Sequence, residues 1–348
     1  MVSSNINEKN SPIIFCHFGS SEYLPFVFQM AAEKNPEKDI FLLGDASNKY
    51  LADKYNIKHR FFSDYSKGVE IELFDSVYKL VKGNRHRHIR NGVDWVNFVF
   101  KRWFYVYNFI KEEEIKSFWH FDSDNLILDS LARHEIKFSK FDCTEQCEGA
   151  CMNGFIANNA VVLGYINQIN RLFQDDIYLK KMQEDFDSND PSFAFTEMAA
   201  YGQFKKCCHP ATVALSSIIA GESFDDCLCH EHNMTMEYYP PLGRKIKKIN
   251  FESGSAYASL GGGGQRVRMV TLNMSWLPLD FYKAVVEHTS NECRIPEALD
   301  CNATLVGICI SRYNKNYFYN KYMEYIKKIK KIKKILKRKR KKFSAMLR

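Results

Sequence analysis

The sequence predicts an α/β fold, a mostly parallel sheet flanked by helices. Three observations carry this. Short apolar runs bounded by turn residues alternate with longer segments whose apolar residues recur at helical spacing. The 348-residue chain is 45% hydrophobic and 14% aromatic, enough for a large buried core. Only 9 Pro interrupt it, against 27 Phe and 19 Tyr.

The elements follow in order. Ile13-Ile14-Phe15-Cys16-His17 is a short apolar run, as a buried strand is. Phe18-Gly19-Ser20-Ser21 turns the chain, with Ser21 expected to cap a helix over 23–34 that Pro36 stops. A second strand at 40–43 ends in Gly44-Asp45. A helix over 48–55 and a third strand near 59–62 come next. Residues 93–114 form a long aromatic-rich helix, and 117–121 a strand that runs into Asp122-Ser123-Asp124. Further on, 140–154 reads as a loop, 165–184 as a helix and 187–191 as a loop. Residues 254–264 read as a flexible loop ending in Gly261 to Gly264, which match neither phosphate-loop nor dinucleotide fingerprint. The last ordered strand is expected at 267–272. The expected organisation is a disordered 1–10, one domain over 11–312 and a basic tail over 313–348.

The net charge of +8 belongs to that tail. Twelve Lys and Arg lie between Lys327 and Lys342 with no acid among them, and without them the chain is slightly acidic. Ile326, Ile329, Ile332 and Ile335 recur every three residues between the lysines. This is a basic amphipathic C-terminal helix, suited to an anionic membrane surface. The regular Ile stripe favours lipid, so no nucleic acid partner is expected. No run approaches 18 apolar residues, and Met1 to Asn10 lack the apolar core of a signal peptide. The expected location is therefore cytoplasmic, peripheral on the inner face of a membrane, with the 11 Cys as thiols. Sequons at Asn233, Asn273 and Asn302 then carry no meaning.

Asp122-Ser123-Asp124 is the sharpest chemical signal. Two carboxylates one residue apart in a turn can converge on a hard divalent ion. Here the turn follows the apolar strand Trp119-His120-Phe121 and precedes Leu126-Ile127-Leu128. Ligands of open α/β sheets bind beyond the carboxyl ends of strands. The turns at His17 to Gly19, Gly44-Asp45 and Asp122 to Asp124 would then open on one crevice.

Several stretches together resemble bacterial GT-A-type glycosyltransferases that build capsule, lipopolysaccharide and related surface glycans. They are Pro12-Ile13-Ile14-Phe15-Cys16-His17-Phe18-Gly19 with Tyr23-Leu24, Asn35-Pro36, Leu42-Leu43-Gly44-Asp45 with Asn48, Arg102-Trp103-Phe104, and His120-Phe121-Asp122-Ser123-Asp124. The resemblance covers about residues 12 to 130 and is patchy to about 290. It implies a GT-A-like fold. It also implies transfer of a sugar from a nucleoside diphosphate-sugar to a hydroxyl of a glycan or lipid-linked acceptor. By it, Asp122 and Asp124 hold Mn²⁺ or Mg²⁺ on the donor diphosphate, and His17, Gly19, Asp45 and Arg102 with Asp122 line the donor site. Glu197, in Phe195-Thr196-Glu197-Met198, stands where the family has an acid and would be the general base of an inverting transfer, with Asp187 and Asp190 nearby alternatives. Asn273 stands where the family carries a metal-binding His, so its amide oxygen would be a weaker ligand. His232 is expected to line the site.

Two rivals stay open at this level. A nucleotidyltransferase would use similar acids, but its first loop usually carries a basic residue that His17-Phe18-Gly19-Ser20 lacks. An inactive membrane-surface scaffold is the other. Cys143, Cys147, Cys227 and Cys229 offer a loose zinc pattern, for which buried free thiols are the simpler reading.

Overall fold

The structure is a computed structural model that describes residues 11–81, 92–188, 195–262, 264–291 and 304–315. The expected disordered N-terminus, the tail beyond 315, Asp190 and Asn302 lie outside the described residues. The first part of the chain alternates as β1 (Ile13–Cys16), α1 (Leu24–Lys34), β2 (Ile40–Gly44), α2 (Lys49–Lys54), β3 (Lys58–Phe61), α3 (Val69–Val77), α4 (Gly92–Glu112) and β4 (Phe118–Asp122). The chain continues through β5 (Asn125–Ile127), α5 (Glu135–Phe138), β6 (Cys143–Gln146), β7 (Cys151–Ile156), α6 (Ala160–Gln174), α7 (Asp176–Ser188) and α8 (Glu197–Cys208). Short strands follow: β8 (Thr212–Ala214), β9 (Glu222–Phe224), β10 (Met236–Tyr239), β11 (Arg244–Lys247), β12 (Asn250–Glu252), β13 (Ser255–Ser259) and β14 (Arg266–Asn273), before α9 (Leu279–Thr289).

A seven-stranded sheet has the order β3-β2-β1-β4-β7-β6-β8. β1 lies between β2 and β4 and is parallel to both, and β3 joins β2 in parallel. The fold is thus mixed α/β with a mostly parallel central sheet between helices. Strands covered on both faces must be apolar on both, which is why β1 and β2 are continuous apolar runs. Ile13 and Phe15 of β1 point into one core, with α1 and α9; Ile14 and Cys16 point into the other, with α3, α4, α6 and α8.

Four expectations are corrected. Residues 140–154 are not a loop: they hold β6 and the start of β7, an antiparallel pair, and β7 runs antiparallel to β4 in mid-sheet. All ten residues of these strands are buried, though many are polar. Specific hydrogen bonds make this tolerable, such as Thr144 Oγ1 to the Asn153 carbonyl at 2.5 Å and Gln146 Nε2 to Asn125 Oδ1 at 3.0 Å. No alternating apolar pattern results, so the strands leave little trace in the sequence. The helix expected over 165–184 is two helices, broken at Asp175, whose Oδ1 accepts the Tyr178 N–H at 2.9 Å and so caps α7. Within 254–264, β13 is a regular strand whose small inward residues, Ala256 and Ala258, conceal its alternation. Ser21 caps nothing; its hydroxyl lies 3.2 Å from His17 Nε2 instead.

A second sheet, β12-β13-β14-β5 with β9 also on β14, packs against the first. β4 ends at Asp122 in the large sheet and β5 begins at Asn125 in the small one. The Asp122-Ser123-Asp124 turn is therefore the passage between the two sheets. Among the described residues no helix is long and apolar enough to cross a membrane, and the nine described cysteines are free.

Candidate active site

The crevice is built where β1, β2 and β4 end side by side. Ser123 Oγ lies 2.7 Å from His17 Nδ1, which joins the Asp122–Asp124 turn to the turn after β1. Burial lowers the His17 pKa to about 4 against the pull of Asp45, so this imidazole is neutral at pH 7. The Gly19 N–H donates to Asp45 Oδ2 at 2.5 Å, with Gly19 in the left-handed region at φ 82°. Asp45 Oδ1 accepts from the Ser47 N–H at 2.7 Å and its hydroxyl at 2.5 Å. Burial would raise this carboxyl, but the Ser47 and Gly19 hydrogen bonds hold it below the usual carboxylate range.

Asn48 is the hub beneath. Its Nδ2 donates to the carbonyls of His17 (2.8 Å) and Gly19 (2.9 Å), and its Oδ1 accepts from Asp45 N–H (3.2 Å) and faces His59 Nε2 at 3.0 Å. A Cβ at Gly44 would stand 2.3 Å from that Oδ1, so only glycine fits at the end of β2.

Arg102 projects from α4 between two acids. Its Nη1 donates to Asp122 Oδ1 at 2.5 Å and its Nη2 to Glu197 Oε1 at 3.1 Å. Burial disfavours the guanidinium charge, but Asp122 and Glu197 more than restore it. Burial would also raise Asp122, yet Arg102 keeps it ionised and below its ordinary value. Asn153 Nδ2, on β7, donates to the other Asp122 oxygen at 3.2 Å.

Asp124 is different. Burial and the Asp122 charge push its pKa up to about 6. Its Oδ1 accepts from Asn125 Nδ2 at 3.3 Å, and its Oδ2 lies 2.8 Å from Ser275 Oγ. That hydroxyl is also 2.6 Å from Asn273 Oδ1, so its single proton serves one of them at a time. Asn273 closes β14 opposite Asn125 on β5. Its Nδ2 donates to the Asp226 carbonyl at 3.0 Å, and its oxygen also accepts the Ser275 N–H at 3.0 Å. The structure thus links Asn273 to Asp124 through Ser275.

Glu197 opens α8 and is 7% exposed. Burial pushes its pKa up to about 7, with Arg102 pulling the other way and Asp122 adding to the rise. Its Oε2 is buried without a hydrogen bond. Asp187 lies on α7, where its Oδ1 accepts from Gln183 Nε2 at 2.9 Å. Of the other expected residues, His232 lies 3.0 Å from Asp226 Oδ2. Among the described residues, Cys143, Cys147, Cys227 and Cys229 do not gather into a group that could hold a metal, and the Cys143 thiol is 3.5 Å from Tyr201 Oη.

A cavity of about 740 Å³ lies at the ends of β1, β2 and β3, lined by Asp45 but not by Asp122, Asp124 or Glu197. Its walls are largely aromatic, with Phe18, Phe61, Phe62, Phe98 and Tyr105, and Asp45 lies at its edge. Both its size and its apolar walls suit an organic ligand. Asn153 and Ser275 were invisible to sequence reading. Asn153 sits in the strand taken for a loop, and Ser275 reaches Asp124 only because β14 pairs with β5.

No protein-family model matches the chain, and no curated protein matches it. Among solved structures, the PaToxG glycosyltransferase overlaps 56% of this chain and 67% of its own, at 10% identity and a TM-score of 0.34. The WbbM bifunctional glycosyltransferase in its apo form overlaps 61% of this chain at 11% identity and a TM-score of 0.26. This chain spans 46% of the WbbM chain.

Proposed function

We propose that the protein is a glycosyltransferase that moves a sugar from a nucleoside diphosphate-sugar to a hydroxyl of a glycan or lipid-linked acceptor, on a GT-A-like fold. One observation carries this reading. Two carboxylates sit together in the turn at the end of the central parallel strand, and one of them, Asp124, has its pKa pushed up by burial and by the charge of the other.

That repulsion is the test of fit for a divalent cation. Asp122 and Asp124 supply hard oxygens, and each carboxylate oxygen accepting one hydrogen bond keeps a further lone pair. Asp122 and Asp124 would hold Mn²⁺ or Mg²⁺, with the Asn273 amide oxygen beside them. When bound, the ion would offset negative charge on the departing diphosphate. The aromatic walls would take the base, and Asp45 at their edge the ribose. Arg102, fixed between two acids, would turn positive charge toward the donor phosphates. Glu197 would take the acceptor's proton as its oxygen bonds the sugar carbon and the bond to diphosphate breaks. An unpartnered Oε2 and a pKa near neutrality favour it for that work. The basic tail would hold the enzyme on an anionic membrane at its cytoplasmic face, where a lipid-linked acceptor resides.

The test is a screen of nucleotide sugars for binding and donor hydrolysis, with and without Mn²⁺. The expected result is metal-dependent turnover that falls on the order of a hundredfold or more in Asp124→Asn. No metal-dependent binding of any nucleotide sugar, or an unchanged variant, would overturn the proposal. Equal pelleting of the full chain and a tail-deleted form with anionic liposomes would overturn the membrane role.

A further inference from the structure

Outside the crevice, the turn between β6 and β7 meets the loop between β9 and β10. Three side chains converge there, Glu148, His230 and His232, with one ligand atom of each within 4.8 Å of the other two. We propose that they form a second metal site, for a borderline-soft divalent ion of the Zn²⁺ kind, separate from the Asp122–Asp124 pair.

The donor set is the first argument. Two imidazoles and a carboxylate suit Zn²⁺, whereas the all-oxygen pair in the crevice suits Mg²⁺ or Mn²⁺. Geometry is the second. Zinc bonds of about 2.0–2.1 Å place neighbouring ligand atoms of a tetrahedron about 3.3 Å apart. His232 Nε2 lies 3.7 Å from Glu148 Oε1. The Glu148 side chain is 70% exposed and His230 is exposed, so closing the remaining gap moves no packed group.

An unsatisfied atom is the third. His232 Nε2 is buried and makes no hydrogen bond, although Asp226 Oδ2 is only 3.0 Å away. A ring nitrogen enclosed by two carboxylates and bonded to neither is an exception among buried polar atoms. A cation there removes the exception. Asp226 is 1% exposed and accepts the Glu148 N–H at 2.8 Å, so one buried carboxylate fixes the Glu148 backbone beside the His232 nitrogen that it faces. Cys147, Glu148, His232 and Asn233 all hold left-handed backbone, with φ of 54°, 57°, 41° and 60°. That is uncommon for residues with a side chain.

The ion would staple the β6–β7 turn to the loop that supports Asn273. Asp225 Oδ2 accepts the Asn273 N–H at 3.0 Å, and the Asp226 carbonyl accepts its side-chain amide. Zinc would thus stiffen the strand end that brings Ser275 to Asp124. The competing arrangement is direct contact of His232 with the two carboxylates, which needs no metal.

The experiment uses the full chain stripped with chelator and titrated with Zn²⁺, and with Co²⁺ for its absorption spectrum. It is run beside His230→Ala, Glu148→Gln and Asp124→Asn, each checked for folding by circular dichroism. The expected result is Zn²⁺ binding with a rise in Tm, a tetrahedral Co²⁺ spectrum, at least tenfold weaker binding in His230→Ala and Glu148→Gln, and no such loss in Asp124→Asn. Absence of Zn²⁺ binding in the parent, equal affinity in the first two variants, or loss only in Asp124→Asn would each overturn the proposal.

Discussion

At the scale of single residues, the crevice is a set of acids driven apart in proton affinity. Asp122 is held ionised by Arg102, while Asp124 and Glu197 are pushed up by burial and by the Asp122 charge. Groups perturbed by a cleft and a named charge partner are where chemistry is expected. For Glu197 the consequence is a pH profile. A base works only when deprotonated, so kcat/KM should rise with pH and level off above about 7, the value to which Glu197 is raised. Glu197→Gln should lower kcat by a factor of about 10² or more and remove that limb, with little change in donor KM. A variant that keeps the limb would assign it to another group.

At the scale of elements, the position of Arg102 depends on how α4 is packed. Trp103, the next residue, is 1% exposed, with its ring 4.9 Å from that of His120 and 5.5 Å from that of Tyr165. His120 is neutral there, its pKa lowered to about 4 by burial and by Arg102, and its Nδ1 bonds the Ile14 carbonyl at 3.0 Å. Trp103→Ala should cost about 3–5 kcal/mol, read as a lower denaturant midpoint, because the surrounding strands and helices cannot collapse into the space. It should also weaken activity beyond the stability loss, since the Arg102 guanidinium is aimed by the same turn of helix. Unaltered activity in the folded fraction would show that Arg102 finds its place without that packing.

At the scale of the whole molecule, the second sheet is tied to α5 and the loop before it by a charged cluster. Glu222 on β9 is 2.7 Å from Arg133, 2.9 Å from Lys137 and 3.0 Å from Arg268, and Asp129 pairs with Arg133 and with Arg268 at 2.9 Å. Burial would raise both carboxyls, but these cations, with His134 beside Asp129, hold them below their ordinary values. A lowered native pKa gives stability that is present above the unfolded value and lost as pH falls through the native one. Stability should therefore decline once pH drops below about 4, and Asp129→Asn should flatten that decline. Urea midpoints measured from pH 6 downward check this; parallel curves for the two proteins would remove the cluster from the account.

The sequence by itself determined the α/β alternation up to Asp122 and placed two acids at the end of a buried strand. That much was legible because runs such as Ile13 to Cys16 and Ile40 to Leu43 are apolar throughout, and because a parallel sheet collects its strand ends, and so its turns, on one side. Only the tertiary structure decided what those acids touch. β6 and β7 bury Thr144, Glu145, Gln146 and Asn153 among their apolar residues, which leaves no periodic signal. Arg102 meets Glu197 across 95 positions of chain, and Ser275 lies near Asp124 across 151. Such hydrogen bonds form where two sheets and a helix meet in space. Local spacing records the hydrophobic faces of each element; it does not record which buried polar groups must find one another once those faces have packed.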